Sequence, residues 1–218
     1  MTQPTLISLG SINMDFQVRT DRWPDPGETM LADEFLMTAG GKAANVAVLA
    51  QRLGVDTVLI GHVGDDILAD KILRDLERVG IDLRHVRRVE GASSAVSMIS
   101  VLPGGEKTIT LAPNANLEWD EERDGDEVVA AIGSAPEGSG LVTDLEIPVG
   151  VVQRAVEAAR ERKMPVVLDP SPAERVTDEL CRFVDVLTPN TSEAGQLTGI
   201  EVDSAESAER AGRALFER

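Results

Sequence analysis

Apolar runs closed by Gly, Asp or Pro alternate along this chain with stretches whose apolar positions recur at helical spacing. Residues 5–10 (TLISLG), 57–63 (TVLIGHV), 140–146 (GLVTDLE), 165–170 (PVVLDP) and 185–189 (DVLTP) read as buried strands. Between them, residues 42–53 form a helix that is apolar on most sides. Residues 66–79 set Leu68, Ile72, Leu76 and Val79 on one helical face, and Gly80 stops the turn. Residues 149–162 and 191–198 are expected to be helical as well, the second capped by Thr191. Strands alternating with helices predict an α/β fold, a mostly parallel sheet flanked by helices on both faces.

Two regions break this rhythm. Residues 14–20 (MDFQVRT) alternate strictly, with Met14, Phe16 and Val18 on one face and Asp15, Gln17 and Arg19 on the other. Residues 30–37 (MLADEFLM) follow the turn-forming stretch 23–28 (WPDPGE). Residues 95–102 and 106–112 flank the PGG at 103–105 as a hairpin. Together they predict a small, largely antiparallel β-sheet lid, from segments at about 14–37 and 95–112, within a single α/β domain spanning 1–218. A thin sheet with an apolar outer face needs a cover, and a second copy of the chain is the economical one, so a homodimer through the lid is expected. The acidic stretch 118–127 (EWDEERDGDE) reads as a solvated helix start or loop.

The last segment opens as a helix, with Asp203 as N-cap and Glu206 three residues on, and Ala208, Ala211 and Leu215 at helical spacing. No strand follows to receive the crossover, so sequence beyond Arg218 is expected.

Composition narrows the classes. A chain of 218 residues that is 42% hydrophobic and 27% charged suits one soluble globular domain. No run is long enough to cross a bilayer, and the N-terminus lacks the pattern of a secretory signal. The single cysteine, Cys181, forms no internal disulfide, which fits the cytoplasm. A formal net charge of −17 opposes nucleic-acid binding, and any anionic substrate needs a local positive site.

In open parallel sheets ligands bind beyond the carboxyl ends of the strands. Those ends carry Gly10-Ser11-Ile12-Asn13 with Asp15, Gly64-Asp65-Asp66, Glu146, Asp169-Pro170-Ser171, and Asn190 with Glu193. Five polar ends on one edge point to a cleft, although any single acid there serves equally well as a helix cap. Asn45 is an amide near the start of the largely apolar helix 42–53. If buried, it needs partners, either a neighbouring loop or a polar ligand at a helix start opened by Gly40-Gly41. Familiar phosphate signatures fail: GGKA lacks the earlier glycine of a P-loop and has Ala43 where magnesium needs a hydroxyl. No GxGxxG follows the first strand, and His62 and His85 have no metal-ligand spacing. No nucleophile elbow is present.

In order along the chain, GSINMD (10–15), PDPGET (24–29), AGGKAAN (39–45), VGDD (63–66), DLE (144–146), LDPSPA (168–173) and TPNTSEAGQLTG (188–199) resemble the motifs of the ribokinase-like (PfkB) family of sugar and nucleoside kinases. One such motif is weak; seven in sequence are specific. The resemblance implies transfer of the γ-phosphoryl group of ATP to a sugar hydroxyl, ribose being favoured, with Mg2+ and a monovalent cation such as K+. It implies that Asn13 and Asp15 contact sugar hydroxyls and that Gly41, Lys42 and Asn45 line the pocket floor. Glu146 closes that pocket from another strand end. Asn190 lies on the nucleotide side, with Glu193 ordering magnesium through water. The family's catalytic aspartate sits in a Gly-Ala-Gly-Asp motif after the N-x-x-E element, which places it beyond Arg218. The 218 residues alone are therefore expected not to turn over. Two other classes stay open on the sequence: a non-catalytic sugar-binding or regulatory module that dimerises through its lid, and a purely structural partner.

Overall fold

A computed structural model describes residues 3–217. In chain order the elements are β1 (Leu6–Leu9), β2 (Asn13–Arg19), β3 (Glu34–Gly40), α1 (Lys42–Arg52), β4 (Thr57–Gly64), α2 (Ile67–Val79), β5 (Asp82–Val89), β6 (Ala95–Val101) and β7 (Lys107–Ala112). After a 3-10 turn at Asn114–Leu117 come α3 (Arg123–Ser134), β8 (Gly140–Asp144), α4 (Val149–Glu161), β9 (Val166–Asp169), α5 (Asp178–Cys181), β10 (Val186–Leu187), α6 (Thr191–Thr198) and α7 (Ala205–Phe216). Six strands form a sheet in the order β10-β9-β8-β1-β4-β5, and every neighbouring pair is parallel. Ile7 and Leu9 point to one face and join a core under α3 and α4, while Leu59 and Val63 point to the other and join a core under α1 and α2. The expected α/β architecture is present. The edge strand β5 is an addition to the sequence reading, because Asp82, Arg84, Arg87 and Arg88 interrupt DLRHVRRV and leave it without the apolar run of a buried strand.

The lid is a separate four-stranded sheet, β3-β2-β6-β7. It is not simply antiparallel: its two hairpin-like pairs are joined by a parallel contact between β2 and β6. Met14, Phe16 and Met37 face the core under α2, as the alternation required. Further out, Phe35 and Met98 on that face and Leu36 and Ile109 on the other are exposed.

Local details depart from the reading in three places. Helix α6 is capped by Asn190, not Thr191, in a reciprocal box with Glu193. Helix α7 is capped by Ser204 with Ser207, not by Asp203 with Glu206, since the Ser204 hydroxyl reaches the Ser207 N–H. The acidic stretch 118–127 runs into α3, and its Asp124 is buried, held between Arg87 and Arg123. Two guanidinium groups supply the charge that lets this carboxylate leave water. Beside it the buried ring of His62 stacks on Trp119, and burial lowers its pKa to about 4, so it stays neutral.

Candidate active site

The order of the parallel sheet creates the site. The chain builds outward from β1 through β4 to β5, then returns to lay β8, β9 and β10 on the other side of β1. The reversal falls between β1 and β8, where helices leave on opposite faces and a crevice opens at the carboxyl ends. Ser11, Glu146 and Asp169, drawn from distant parts of the sequence, therefore lie at or just past the ends of adjacent strands, and Asn13 follows Ser11 at the start of β2.

Ser11 and Asp144 hold that junction together. Asp144 Oδ2 accepts from the Ser11 N–H at 3.0 Å, and Oδ1 accepts from the Glu146 N–H at 2.8 Å. Gly10 has no side chain because a Cβ there would lie 2.0 Å from Asp144 Oδ2. Burial, then the neighbouring Glu146, pushes the Asp144 pKa up to about 7. Ser11 in turn caps α1: its hydroxyl accepts the Lys42 N–H at 2.9 Å and its carbonyl the Ala44 N–H at 3.4 Å. The helix start expected to present amides to a ligand thus spends two of them on Ser11. Gly41 is the N-cap, at φ +95°, and a Cβ there would lie 2.4 Å from the Ser11 carbonyl. The glycine pair admits a backbone at Gly41 and, at Gly40, the Asp15 carboxylate, which a Cβ would meet at 2.1 Å.

Lys42 is the cation of the crevice. Its Nζ lies 3.1 Å from Asp169 Oδ2. Burial works against its charge, but Asp169, Glu146 and Asp144 outweigh burial and hold its pKa above the usual lysine value. Glu146 moves the opposite way, raised by burial, with Ser11 and Lys42 offsetting part of the shift and Asp169 and Asp15 adding to it. Asp15 is likewise raised by burial, against the pull of Ser97 and Lys107. Two buried oxygens, Glu146 Oε2 and Asp169 Oδ1, have no hydrogen-bond partner among the described residues.

Asn13 and Asp15 share one face of β2, beside Ser97 of β6. Asn13 Oδ1 accepts from Asn116 Nδ2 at 2.8 Å, and its Nδ2 donates to Ser97 Oγ at 3.3 Å. The structure thus brings Asn13, Asp15, Gly41, Lys42 and Glu146 to one crevice. Asn45 differs from expectation: it lies one turn into α1 and is exposed, so no burial penalty demands a partner, and its side chain makes no hydrogen bond among the described residues. Asn190 and Glu193 stand past β10, two strands from β8, about 10 Å away at the usual strand spacing. Their side chains cap each other's backbone, Asn190 N–H to Glu193 Oε2 at 2.8 Å and Glu193 N–H to Asn190 Oδ1 at 2.9 Å.

Sequence reasoning missed Asp144, Ser97 and Asn116 as site residues. Asp144 could have been suspected as a carboxylate at the very end of an apolar strand; Ser97 and Asn116 gave no local signal.

A family model for pfkB family carbohydrate kinase matches residues 3–218. The chain is 33% identical over 214 residues to ribokinase of Haemophilus influenzae, covering 98% of this chain and 69% of that protein. It is 32% identical over 212 residues to deoxyribokinase of Salmonella typhi, covering 96% and 68%. The structure of Arabidopsis thaliana ribokinase complexed with ribose and ATP superposes with a TM-score of 0.79 at 27% identity, over 99% of this chain and 69% of that one. The chain spans about two thirds of the length of these relatives.

Proposed function

This chain belongs to the pfkB family of carbohydrate kinases, and on that premise we propose that it carries the sugar site of an ATP-dependent kinase acting on ribose. The observation that supports this reading best is the pair of buried, unpartnered carboxylate oxygens on Glu146 and Asp169 beside Asp15 and Lys42. Acceptors of that kind call for hydroxyl donors, and a pentose presents several in fixed directions. A neutral polyol also suits a crevice rich in carboxylates, where a free anion would be repelled.

In this reading Asn13 and Asp15 hold sugar hydroxyls from the lid side. Gly41, Lys42 and Asn45 form the floor, and Glu146 closes the far wall. Asn190 and Glu193 face the nucleotide. Glu193 has one carboxylate oxygen beyond its capping bond. No cluster of three metal-ligating side chains occurs among the described residues. Those two facts fit Mg2+ held mainly by nucleotide phosphates and water, where it would neutralise phosphate charge. No residue is assigned as the base: Asp144 is committed to two backbone amides, and Asp169 holds Lys42 with one oxygen and is assigned to a sugar hydroxyl with the other. The 218 residues by themselves are accordingly expected to bind ribose without phosphorylating it. The exposed apolar residues of the lid, Phe35, Leu36, Met98 and Ile109, are assigned to a homodimer contact, and a cytoplasmic location fits the lone Cys181.

Titration calorimetry with ribose tests the site. Saturable binding to the wild-type chain, lost in Asp15→Ala with an unchanged circular dichroism spectrum, is expected. Equal affinity in that variant would discard the assigned pocket.

A further inference from the structure

We propose that Ser97 and Asn116 are positioning residues that fix the hydrogen-bond direction of the site, so that Asn13 meets a ligand only as a donor and Asp15 only as an acceptor. The ligand half of this inference rests on the sugar-site reading above; the relay itself rests on geometry. The starting point is the Ile12 backbone N–H, which can only donate. It lies 3.2 Å from Asn116 Oδ1, so that atom is an oxygen. The other end of the Asn116 amide is then Nδ2, and it donates at 2.8 Å to Asn13, whose facing atom must be Oδ1. Asn13 is left with Nδ2 toward Ser97, and Ser97 Oγ must accept at 3.3 Å. Having accepted there, the Ser97 hydroxyl keeps its proton for a second acceptor. Asp15 is its register partner across the β2–β6 pair, and the Ser97 hydroxyl counteracts the rise in the Asp15 pKa.

Each link is fixed by the one before it, from a group that cannot accept to a carboxylate that cannot donate. All three middle members are buried, with exposures of 4% for Asn13, 5% for Ser97 and 0% for Asn116, so solvent does not reorient them. The 3-10 turn that carries Asn116 is itself held, since Trp119 Nε1 donates to the Asn116 carbonyl at 2.9 Å and the Ala115 N–H to the Ser93 carbonyl at 3.1 Å. The relay crosses both insertions, joining the segment after β7 to β2 and β6.

The second hydrogen on Asn13 Nδ2 has no partner among the described residues, and it can only be given to a lone pair. Asp15 can only take a proton. The pair therefore selects a ligand group that accepts from one and donates to the other, which is what neighbouring hydroxyls do. A carboxylate or phosphate in this place would meet Asp15 acceptor to acceptor, and an ammonium would meet Asn13 donor to donor. The charged groups around Asp15 are Lys107 on β7 and Glu146 beyond β8, and both stay in place in the variants below.

The test uses the whole chain without ligand and reads the Asp15 carboxyl titration by carbon NMR. Ser97→Ala should move the Asp15 midpoint up by roughly one pH unit, and Ser97→Thr, which keeps the hydroxyl, should restore it. Asn116→Ala removes the group that fixes the Asn13 amide without adding a charge, frees that amide to turn over and take the Ser97 proton, and should raise the same midpoint part of the way with Ser97 intact. Ribose affinity should fall about tenfold in Ser97→Ala and recover in Ser97→Thr. An Asp15 midpoint that stays put in Ser97→Ala overturns the relay, whatever ribose does. A shifted midpoint with no ribose binding by the wild type upholds the relay and refutes the sugar reading instead.

Discussion

Lys42 Nζ lies 3.1 Å from Asp169 Oδ2, tying the first residue of α1 to the last residue of β9 across 127 positions of sequence. Both side chains are about a third exposed, so the pair alone contributes roughly 1 kcal/mol or less. Its larger role is as the cation beside three carboxylates. Lys42→Met should lower stability by about 1 kcal/mol at pH 7.5, with a smaller effect near pH 4.5, where Asp144 and Glu146, whose pKa values burial raises, carry less negative charge. Urea denaturation at the two pH values measures this. An equal loss at both would assign Lys42 to packing.

Asp144 makes stability depend on pH in an unusual direction. Its folded pKa, about 7, lies above the ordinary value of 3.8. Between those values the folded protein keeps a proton that the unfolded chain has released. The stabilisation is therefore complete below about pH 4 and is lost as pH rises toward 7, by on the order of 4 kcal/mol at most. Asp144→Asn should abolish this slope, seen in unfolding free energies at pH 4.5, 6 and 7.5. The same slope in the variant would show that Asp144 is ionised throughout.

Glycines at the site and glycines on the surface should respond oppositely to alanine. Gly40→Ala drives a methyl group into the Asp15 carboxylate and should weaken ribose binding at least about tenfold. Gly133 in α3 has nothing within 4 Å of a built Cβ and no positive φ. Gly133→Ala should stabilise the fold by about 0.5–1 kcal/mol, visible as a higher denaturation midpoint. A destabilised Gly133→Ala would mean that α3 is not helical there.

Asn190 has a structural task and a proposed nucleotide task that can be separated. Asn190→Ala removes the α6 cap and should cost about 1 kcal/mol, whereas Asn190→Asp keeps an oxygen toward the Glu193 N–H and should hold stability within a few tenths. A lowered nucleotide affinity in Asn190→Asp at unchanged stability would support the nucleotide task. Unchanged affinity would leave Asn190 a cap alone.

Much of this was legible in local pattern. Helix α2, its glycine stop and the two faces of β2 follow from spacing that adjacent residues set among themselves. The strand ends named Asn13, Asp15 and Glu146 because a polar residue closing an apolar run is a local event. Strand β5 escaped because charges interrupt it, and the α6 and α7 caps moved by one residue because several capping side chains compete at each start.

The sequence by itself determined the kinds of element, their order and most of the polar residues at one sheet edge, since periodicity and breakers act over a few residues. Only the tertiary structure decided that β1 lies against β8, that Asp144 and Ser11 lock that junction, that Asn45 is exposed, and that Asn116 reaches Asn13 across 103 positions. Strand order and the burial of a single polar side chain depend on which distant surfaces meet, and hydrogen-bond direction depends on every partner in the chain at once. No window of sequence contains that information.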